Sequence, residues 1–596
     1  LLAACPNLTI LTTSRTPLRI QGEWDFPVHP LDVESGTKSM GHDAMTLFVD
    51  RARAVTSGFQ LTNANADAVR AICRRLDGLP LAIELAAARV KVLSPNALLA
   101  KLEGSLDVLS GGPRNLETRL QSIRSAIAWS FDLLEEPEKR AFRALAIFVG
   151  RFTLRDAEVV LAAALDLHEN DVLERIAGLI DDSLLRLTVD ESGQPRYWML
   201  FTLRSFALAE LEASDDREAV HRAHAFHVLD LTETAADAFR NLPTAHQAQW
   251  FMVIESGRGN WRAALSWLHE QGETSLLLRL TTSLAWFWYV RGPMAEGRFW
   301  LERALAMNPQ HADVRDRIPA LMGGGMLAHY SGDGAAAREM LEACLMLEHE
   351  APNNWWRASA LWVLGMVERT AGNYTIAEAH LREALAAYRA LPHETNAAII
   401  LGQLGAAAWG SGDTERARVL CAEGIALQRQ SGDRWGLGNT LGYSGLIALD
   451  LGDATTAARA LQESLHIRAE ETRSNPIDLL DTDTQPHWQA GAWYDVAGSL
   501  SNLAVLASFL GDHEAAAKLF GASGALRKLV GRTEPMLPAR TVYIRAENTS
   551  RQHLGADRYA EVFGSGAALS GPEALIDALA TADRLVESTE GAGTPR

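Results

Sequence analysis

The sequence predicts a mainly α-helical chain that ends in an α-solenoid of helical hairpins. Three observations predict it. Gly292, Gly332, Gly372, Gly412 and Gly452 fall at a constant interval of 40 residues. Apolar residues recur at helical spacing through Leu120, Ile123, Ile127, Phe131 and Leu134. The segment Gly78 to Arg89, reading GLPLAIELAAAR, ends one helix and starts another.

The repeat is the strongest of the three. Asp333, Asn373, Asp413 and Asp453 follow four of the glycines. A small residue stands seven positions earlier each time: Ala285, Gly325, Gly365, Gly405 and Gly445. Five positions later come Gly297, Ala337, Ala377, Ala417 and Ala457. Glycine accepts the left-handed backbone of a helix end, so each Gly-Asp pair marks a turn. The small residues let the two helices of a hairpin touch. A single hairpin cannot bury its apolar face, so neighbours stack. A sixth unit centres on Gly511-Asp512, after an insertion near Glu471 to Gln489 that is either a disordered excursion or a lid over a groove. Residues 281–530 form this array, and 531–596 form a helical cap with a frayed tail.

Upstream, Leu8 to Thr13 is a β-branched apolar run of strand length. Residues 1–35 therefore read as the last strand and loop of an α/β domain. Asp43–Arg53, Asp67–Val90 and Pro95–Leu109 form a helical domain over 36–110, before the break at Gly111-Gly112-Pro113. Residues 111–211 read as a winged helix. Its helices include Leu120–Leu134, Pro137–Phe148, Leu173–Leu187 and Tyr197 onward, with a hairpin turn at Asp190–Gly193 as the wing. This stretch holds 12 Lys/Arg against 16 Asp/Glu, so it lacks the basic face a DNA reader needs. Residues 212–280 are a helical connector. Its His221, His224 and His227 read as one partly exposed amphipathic helix rather than a metal site.

Composition bounds the rest. The chain has 596 residues, a formal net charge of −18 and 47% hydrophobic residues. That balance disfavours broad nucleic-acid binding. No long apolar run suggests a membrane span. Cys5, Cys73, Cys344 and Cys421 are widely spaced, as expected of buried thiols in a reducing cytoplasm. No metalloprotease or serine-hydrolase motif occurs, and no catalytic site is expected.

The Gly78-Leu79-Pro80-Leu81 segment resembles the GLPL motif of bacterial STAND/NB-ARC nucleotide switches. Thr13-Ser14-Arg15 is similar to the family's sensor strand. Tyr197 to Leu211 (YWMLFTLRSFALAEL) resembles its Met-His-Asp helix. The tail around Leu519-Phe520-Gly521-Ala522 is similar to that of family members with tetratricopeptide-like repeats, among them LuxR- and SARP-type regulators. The resemblance implies residual nucleotide contacts at Ser14, Arg15, Leu79, Pro80, Leu81 and Met199, for ADP or ATP. Leu200 and Phe201 stand where the family has histidine and aspartate, so one phosphate contact is missing. None of the six lysines follows a glycine, so the chain holds no Walker A loop. The expectation is an amino-terminally truncated fragment of a slow ATPase, with neither tight nucleotide binding nor hydrolysis of its own.

The resemblance further implies that the first helix of each hairpin lines a concave wall. That register places Trp286, Tyr289, Met322, Met326, His329, Trp362, Met366, Arg369 and Trp409 on it. They either form a groove for an effector protein, a peptide or a small apolar ligand, or fill the interior of a tightly wound superhelix. The implied function is a two-state cytoplasmic switch of transcription that self-associates when activated, without direct DNA or membrane contact by this chain. The alternatives are a constitutive protein-binding scaffold, and an enzyme for which the wall offers only His329 and Arg369.

Overall fold

A computed structural model describes residues 11–12, 20, 23–24, 26, 28–33, 43–56, 58–104, 123–190, 193–241, 247–307, 312–391, 394–473, 490–529 and 538–591. The chain divides into two compact units, Leu1–Val228 with Ser256–Trp267, and Leu229–Glu255 with Leu268–Arg596. The strand expected at Leu8–Thr13 falls mostly outside the described residues, and Leu11 and Thr12 carry no regular structure. The inserted segment 474–489 also lies outside them.

The first unit opens with helices α1 (Asp43–Val55), α2 (Ala66–Arg75), α3 (Pro80–Ala88) and α4 (Pro95–Gly104). Phe48, Ile72, Leu76 and Ile83 are fully buried among them. Asp77 and Gly78 both adopt positive φ, 56° and 65°, which separates α2 from α3. A Cβ on Gly78 would lie 2.2 Å from the carbonyl oxygen of Leu31, so only glycine fits against that strip of chain. Pro80 occupies the first turn of α3, where it has no N–H to leave unpaired.

Helices α5 (Ile123–Asp132), α6 (Glu136–Leu145), α7 (Leu154–Leu165) and α8 (Glu169–Asp181) follow, then β1 (Arg186–Val189), β2 (Pro195–Trp198) and α9 (Phe201–Glu212). The two strands pair antiparallel, and Gly193 N–H donates to the Asp190 carbonyl at 2.9 Å, so the expected wing is present. Two expectations need correction. Helix α8 does not run on to Leu187: the chain turns at Ser183 (φ 59°), and Arg186–Val189 is a strand. Tyr197 is likewise a strand residue, and the helix begins at Phe201. The β-branched Thr188 and Val189 favour the strand.

Three helices come next: α10 (Arg217–Asn241), α11 (Ala248–Ser256) and α12 (Arg258–Glu270). The second unit is then built of six hairpins: α13 (Thr274–Arg291) with α14 (Met294–Ala306), α15 (Val314–Tyr330) with α16 (Gly334–Glu348), α17 (Asn354–Thr370) with α18 (Tyr374–Arg389), α19 (Glu394–Gly410) with α20 (Thr414–Ser431), α21 (Arg434–Asp450) with α22 (Ala454–Arg473), and α23 (Ala490–Phe509) with α24 (His513–Leu529). All five evenly spaced glycines, and Gly511, sit at the hairpin corners with φ between 68° and 90°. Asp333, Asp413, Asp453 and Asp512 cap the second helix by accepting a backbone N–H three residues on. Asn373 does not; its amide donates to Glu368 instead.

The small residues do what their spacing implies. A Cβ on Gly325 or Gly365 would lie 2.7 Å from Cγ of Leu341 or Leu381. At Gly405 and Gly445 it would lie 2.5 Å from Cys421 Sγ and Leu461 Cδ2. The same crossing is thus made four times, each beside the carbonyl of the alanine five residues beyond the corner glycine. After the sixth hairpin come α25 (Ala539–Leu554), α26 (Ala556–Ala567) and α27 (Gly571–Gly591). Helix α26 crosses α24 backbone to backbone: a Cβ on Gly521 would meet Phe563 O at 2.0 Å, and one on Gly566 would meet Lys518 O at 2.0 Å. Helix α27 folds back on α22 through Arg459–Glu590 and Gln462–Asp583.

Candidate functional site

Two places bring sequence-predicted residues together, one in each unit. In the first unit the Gly78 turn meets the start of α9. The helix has Leu200 at its N-cap position, which cannot accept the orphan N–H groups of the first turn. Asp77 supplies the cap from 124 residues away. Its carboxylate accepts from Phe201 N–H at 2.9 Å, Thr202 N–H at 3.0 Å and Thr202 Oγ1 at 3.1 Å. Burial raises the Asp77 pKa, and the three hydrogen bonds and Arg186 only partly oppose that. The Arg75 guanidinium lies over the Phe201 ring at 4.2 Å. Arg204 donates to the carbonyl of Phe148 at 2.6 Å, and burial with nearby Arg75 brings its pKa down to about 10.

Of the residues tied to nucleotide by resemblance, Ser14 and Arg15 lie outside the described residues. Pro80 is exposed, Leu79 and Leu81 are half-buried, and Met199 is buried in the core. Asp77 was not anticipated. The one sequence signal for it is an acidic residue directly before the Gly78 turn; its positive φ and the uncapped start of α9 appear only in the structure.

The three histidines of α10 lie on an amphipathic helix whose exposed positions include Arg222 and Phe226, with His221 half-buried. His224 and His227 are buried, and His227 Nε2 lies 2.8 Å from Asp156 Oδ1. His221 Nε2 lies 2.6 Å from Glu212, and its ring stacks on Trp267. His224 packs edge-on to Phe148, and burial drives its pKa down to about 3. Each imidazole therefore has a different neighbour, and the three do not converge on one point.

In the second unit the predicted wall residues sit on the first helices of successive hairpins. Tyr289, Met326, His329, Met366, Arg369 and Trp409 are buried, while Trp286, Met322 and Trp362 are half-buried. The Tyr289 and Tyr330 rings lie 4.3 Å apart, and the Tyr330 hydroxyl lies 3.9 Å from Met366 Sδ. The Arg369 guanidinium sits 5.6 Å from the Tyr443 ring centre. Trp409 Nε1 donates to Asp450 Oδ2 at 2.6 Å.

The register missed Trp435, Arg468 and Asp495. Trp435 lies at the start of α21, outside the positions the repeat marks. Its ring approaches Trp286 at 6.1 Å and Tyr289 at 6.4 Å, both edge to face. Its indole N–H donates to Asp495 at 3.0 Å. Arg468 binds Glu471 at 2.8 Å, the Trp435 carbonyl at 3.1 Å and lies 3.9 Å from Asp495. Gly438 makes room for this guanidinium: a Cβ there would lie 2.9 Å from its central carbon. Nearby, the buried Asp433 caps α21 through Gly436 N–H at 3.1 Å, and burial pushes its pKa up to about 6.

A winged hairpin domain and stacked helical hairpins define the class of protein. Residues 134–212 match the winged helix-turn-helix domain family, and residues 357–391 match the tetratricopeptide repeat. The chain is 34% identical over 515 residues to a Mycobacterium tuberculosis protein described as "Putative HTH-type transcriptional regulator", covering 84% of this chain and 56% of that one. It is 26% identical over 395 residues to the regulatory protein AfsR of Streptomyces coelicolor, covering 61% of this chain and 38% of that one. The chain thus spans little more than half the length of the mycobacterial relative. The crystal structure of a STAND protein with a tetratricopeptide repeat sensor from Pyrococcus horikoshii aligns at 13% identity with a TM-score of 0.40, covering 87% of this chain and 74% of that one. The winged helix and the repeats read from the sequence are borne out, as is the likeness to bacterial transcriptional regulators.

Proposed function

We propose that this chain is the regulatory part of a nucleotide-dependent transcription switch, with the repeats as its sensor. The observation that carries this is the Asp77 cap. It joins, across 124 residues, the two motifs that the resemblance assigns to one nucleotide site. Pro80 is exposed and can lie against a base. The phosphate side fits poorly: the first amides of α9 are taken by Asp77, and Leu200 has no donor. Binding of nucleotide, whether ADP or ATP, would therefore depend on further residues to hold its phosphates. The winged helix acts within the protein rather than on DNA. Its helix α8 carries Glu169, Asp171, Glu174 and Asp181, and its Arg175 is held by Glu138 at 2.5 Å. The effector is an apolar ligand or a peptide segment taken up by the repeats, and it shifts the switch only through unequal affinity for two states.

The test is calorimetric titration of ADP into this chain and into the longer mycobacterial relative, of which this chain spans 56%. Binding by the relative alone is the expected result. Micromolar binding by this chain, or binding by neither, would overturn the reading.

A further inference from the structure

Hairpins in a solenoid ordinarily contact their neighbours only. Here α13, from the first hairpin, reaches α21 and α23, from the fifth and sixth. Three hairpins are skipped. The contact is made by Trp286 and Tyr289 on one side and by Trp435 on the other. Trp435 is fixed in turn by Asp495, and Arg468 ties Asp495 to Glu471 and to the backbone of Trp435.

We propose that Trp435, braced by Asp495 and Arg468, is a latch that closes the repeat array on itself by gripping Trp286 and Tyr289. Its release opens the concave wall.

The balance of forces suits a part that moves. Edge-to-face aromatic contacts and loss of apolar surface favour closure. The charges oppose it. The Arg468 side chain is 2% exposed, and it faces two carboxylates, Glu471 and Asp495, with Asp433 close by. Removing such groups from water costs free energy that their mutual attraction need not recover. Asp433 and Arg468 are buried and Glu471 and Asp495 half-buried, so opening would rehydrate a cluster of three carboxylates around one guanidinium. A ligand that binds only the open array would shift the balance toward it. Closure also decides access. Tyr289, Met326, His329, Met366 and Arg369 are buried in the closed form, so an effector contacting them needs the latch undone.

The role of the latch in sensing rests on the function proposed above, but its existence does not. The experiment uses neither effector nor nucleotide. Amide hydrogen exchange and small-angle scattering are measured on the full chain, on Trp435→Ala, on Tyr289→Ala and on the double variant. A latch predicts at least tenfold faster exchange in both α13 and α21 for either single variant. It also predicts a larger radius of gyration, unchanged exchange in α18, and little further change in the double variant. Faster exchange confined to the mutated helix, or spread evenly over all hairpins, would overturn the proposal. If Trp435→Ala does not fold, Trp435→Phe decides. It keeps a ring but loses the Asp495 bond, so faster exchange in α13 supports the latch and unchanged exchange there refutes it. A refuted latch with intact nucleotide linkage would leave the switch standing with a different moving part. A confirmed latch without nucleotide binding would make the array an independent device.

Discussion

Replacing Asp433 by asparagine is expected to stabilise the second unit at neutral pH and to have no effect in acid. Asp433 is 5% exposed and caps α21 through one oxygen. Burial, with a smaller contribution from Glu471, lifts its pKa to about 6, against the opposing pull of Gly436 N–H and Arg468. A carboxyl with a raised folded-state pKa adds stability that is fully present below its unfolded pKa. That stability is lost as pH rises through about 6. The full difference between the two protonation states corresponds to ~3 kcal/mol. Asparagine keeps the shape and the acceptor for Gly436 N–H but cannot ionise. Its amide NH2 group must be buried in place of the second oxygen, so a net gain of about 1–2 kcal/mol at pH 8 is expected. Urea unfolding followed by tryptophan fluorescence from pH 3 to 8 measures this. The gap between wild type and D433N should be small near pH 3, grow mainly between the unfolded pKa of 3.8 and the folded value of about 6, and then level off. A gap that does not vary with pH, or a wild type that is the more stable at pH 8, would refute the placement of an ionised carboxylate in this interior.

Other outcomes follow from the same geometry. Asp77→Asn keeps a residue that tolerates φ near 56° but weakens the cap of α9; a loss of about 1–2 kcal/mol is expected, with faster amide exchange at Phe201 and Thr202. Gly566→Ala places a methyl 2.0 Å from the Lys518 carbonyl and should cost at least ~3 kcal/mol, read as loss of protection in α26. Gly372→Ala meets no atom within 4 Å but must hold φ at 85°, so its cost should be only about 1 kcal/mol by thermal unfolding. Gly365→Ala, with its Cβ 2.7 Å from Leu381 in the core, should cost more than Gly372→Ala; the reverse order would deny the crossing its role.

Much of the array was legible because its causes are local. A left-handed corner needs glycine, and a hairpin crossing needs a small residue opposite Leu341, Leu381 or Leu461. Both requirements recur every 40 residues, so the pattern shows in the sequence. The GLPL turn was legible for the same reason. Strand β1 was not, because Leu184, Leu185 and Leu187 continue the apolar spacing of α8 and hide the turn at Ser183. The amphipathic helix carrying His221, His224 and His227 was legible, but their neighbours Asp156, Phe148 and Trp267 were not, because these are distant in sequence.

The sequence by itself determined the helices, their corners and the pitch at which they stack, since backbone conformation and nearest-neighbour packing are set within about 40 residues. Only the tertiary structure decided which helix start Asp77 caps, and that the wall residues of the first hairpin meet Trp435 rather than open space. Those contacts depend on the summed rotation of many successive hairpins and on partners more than 100 residues apart. No local spacing encodes them.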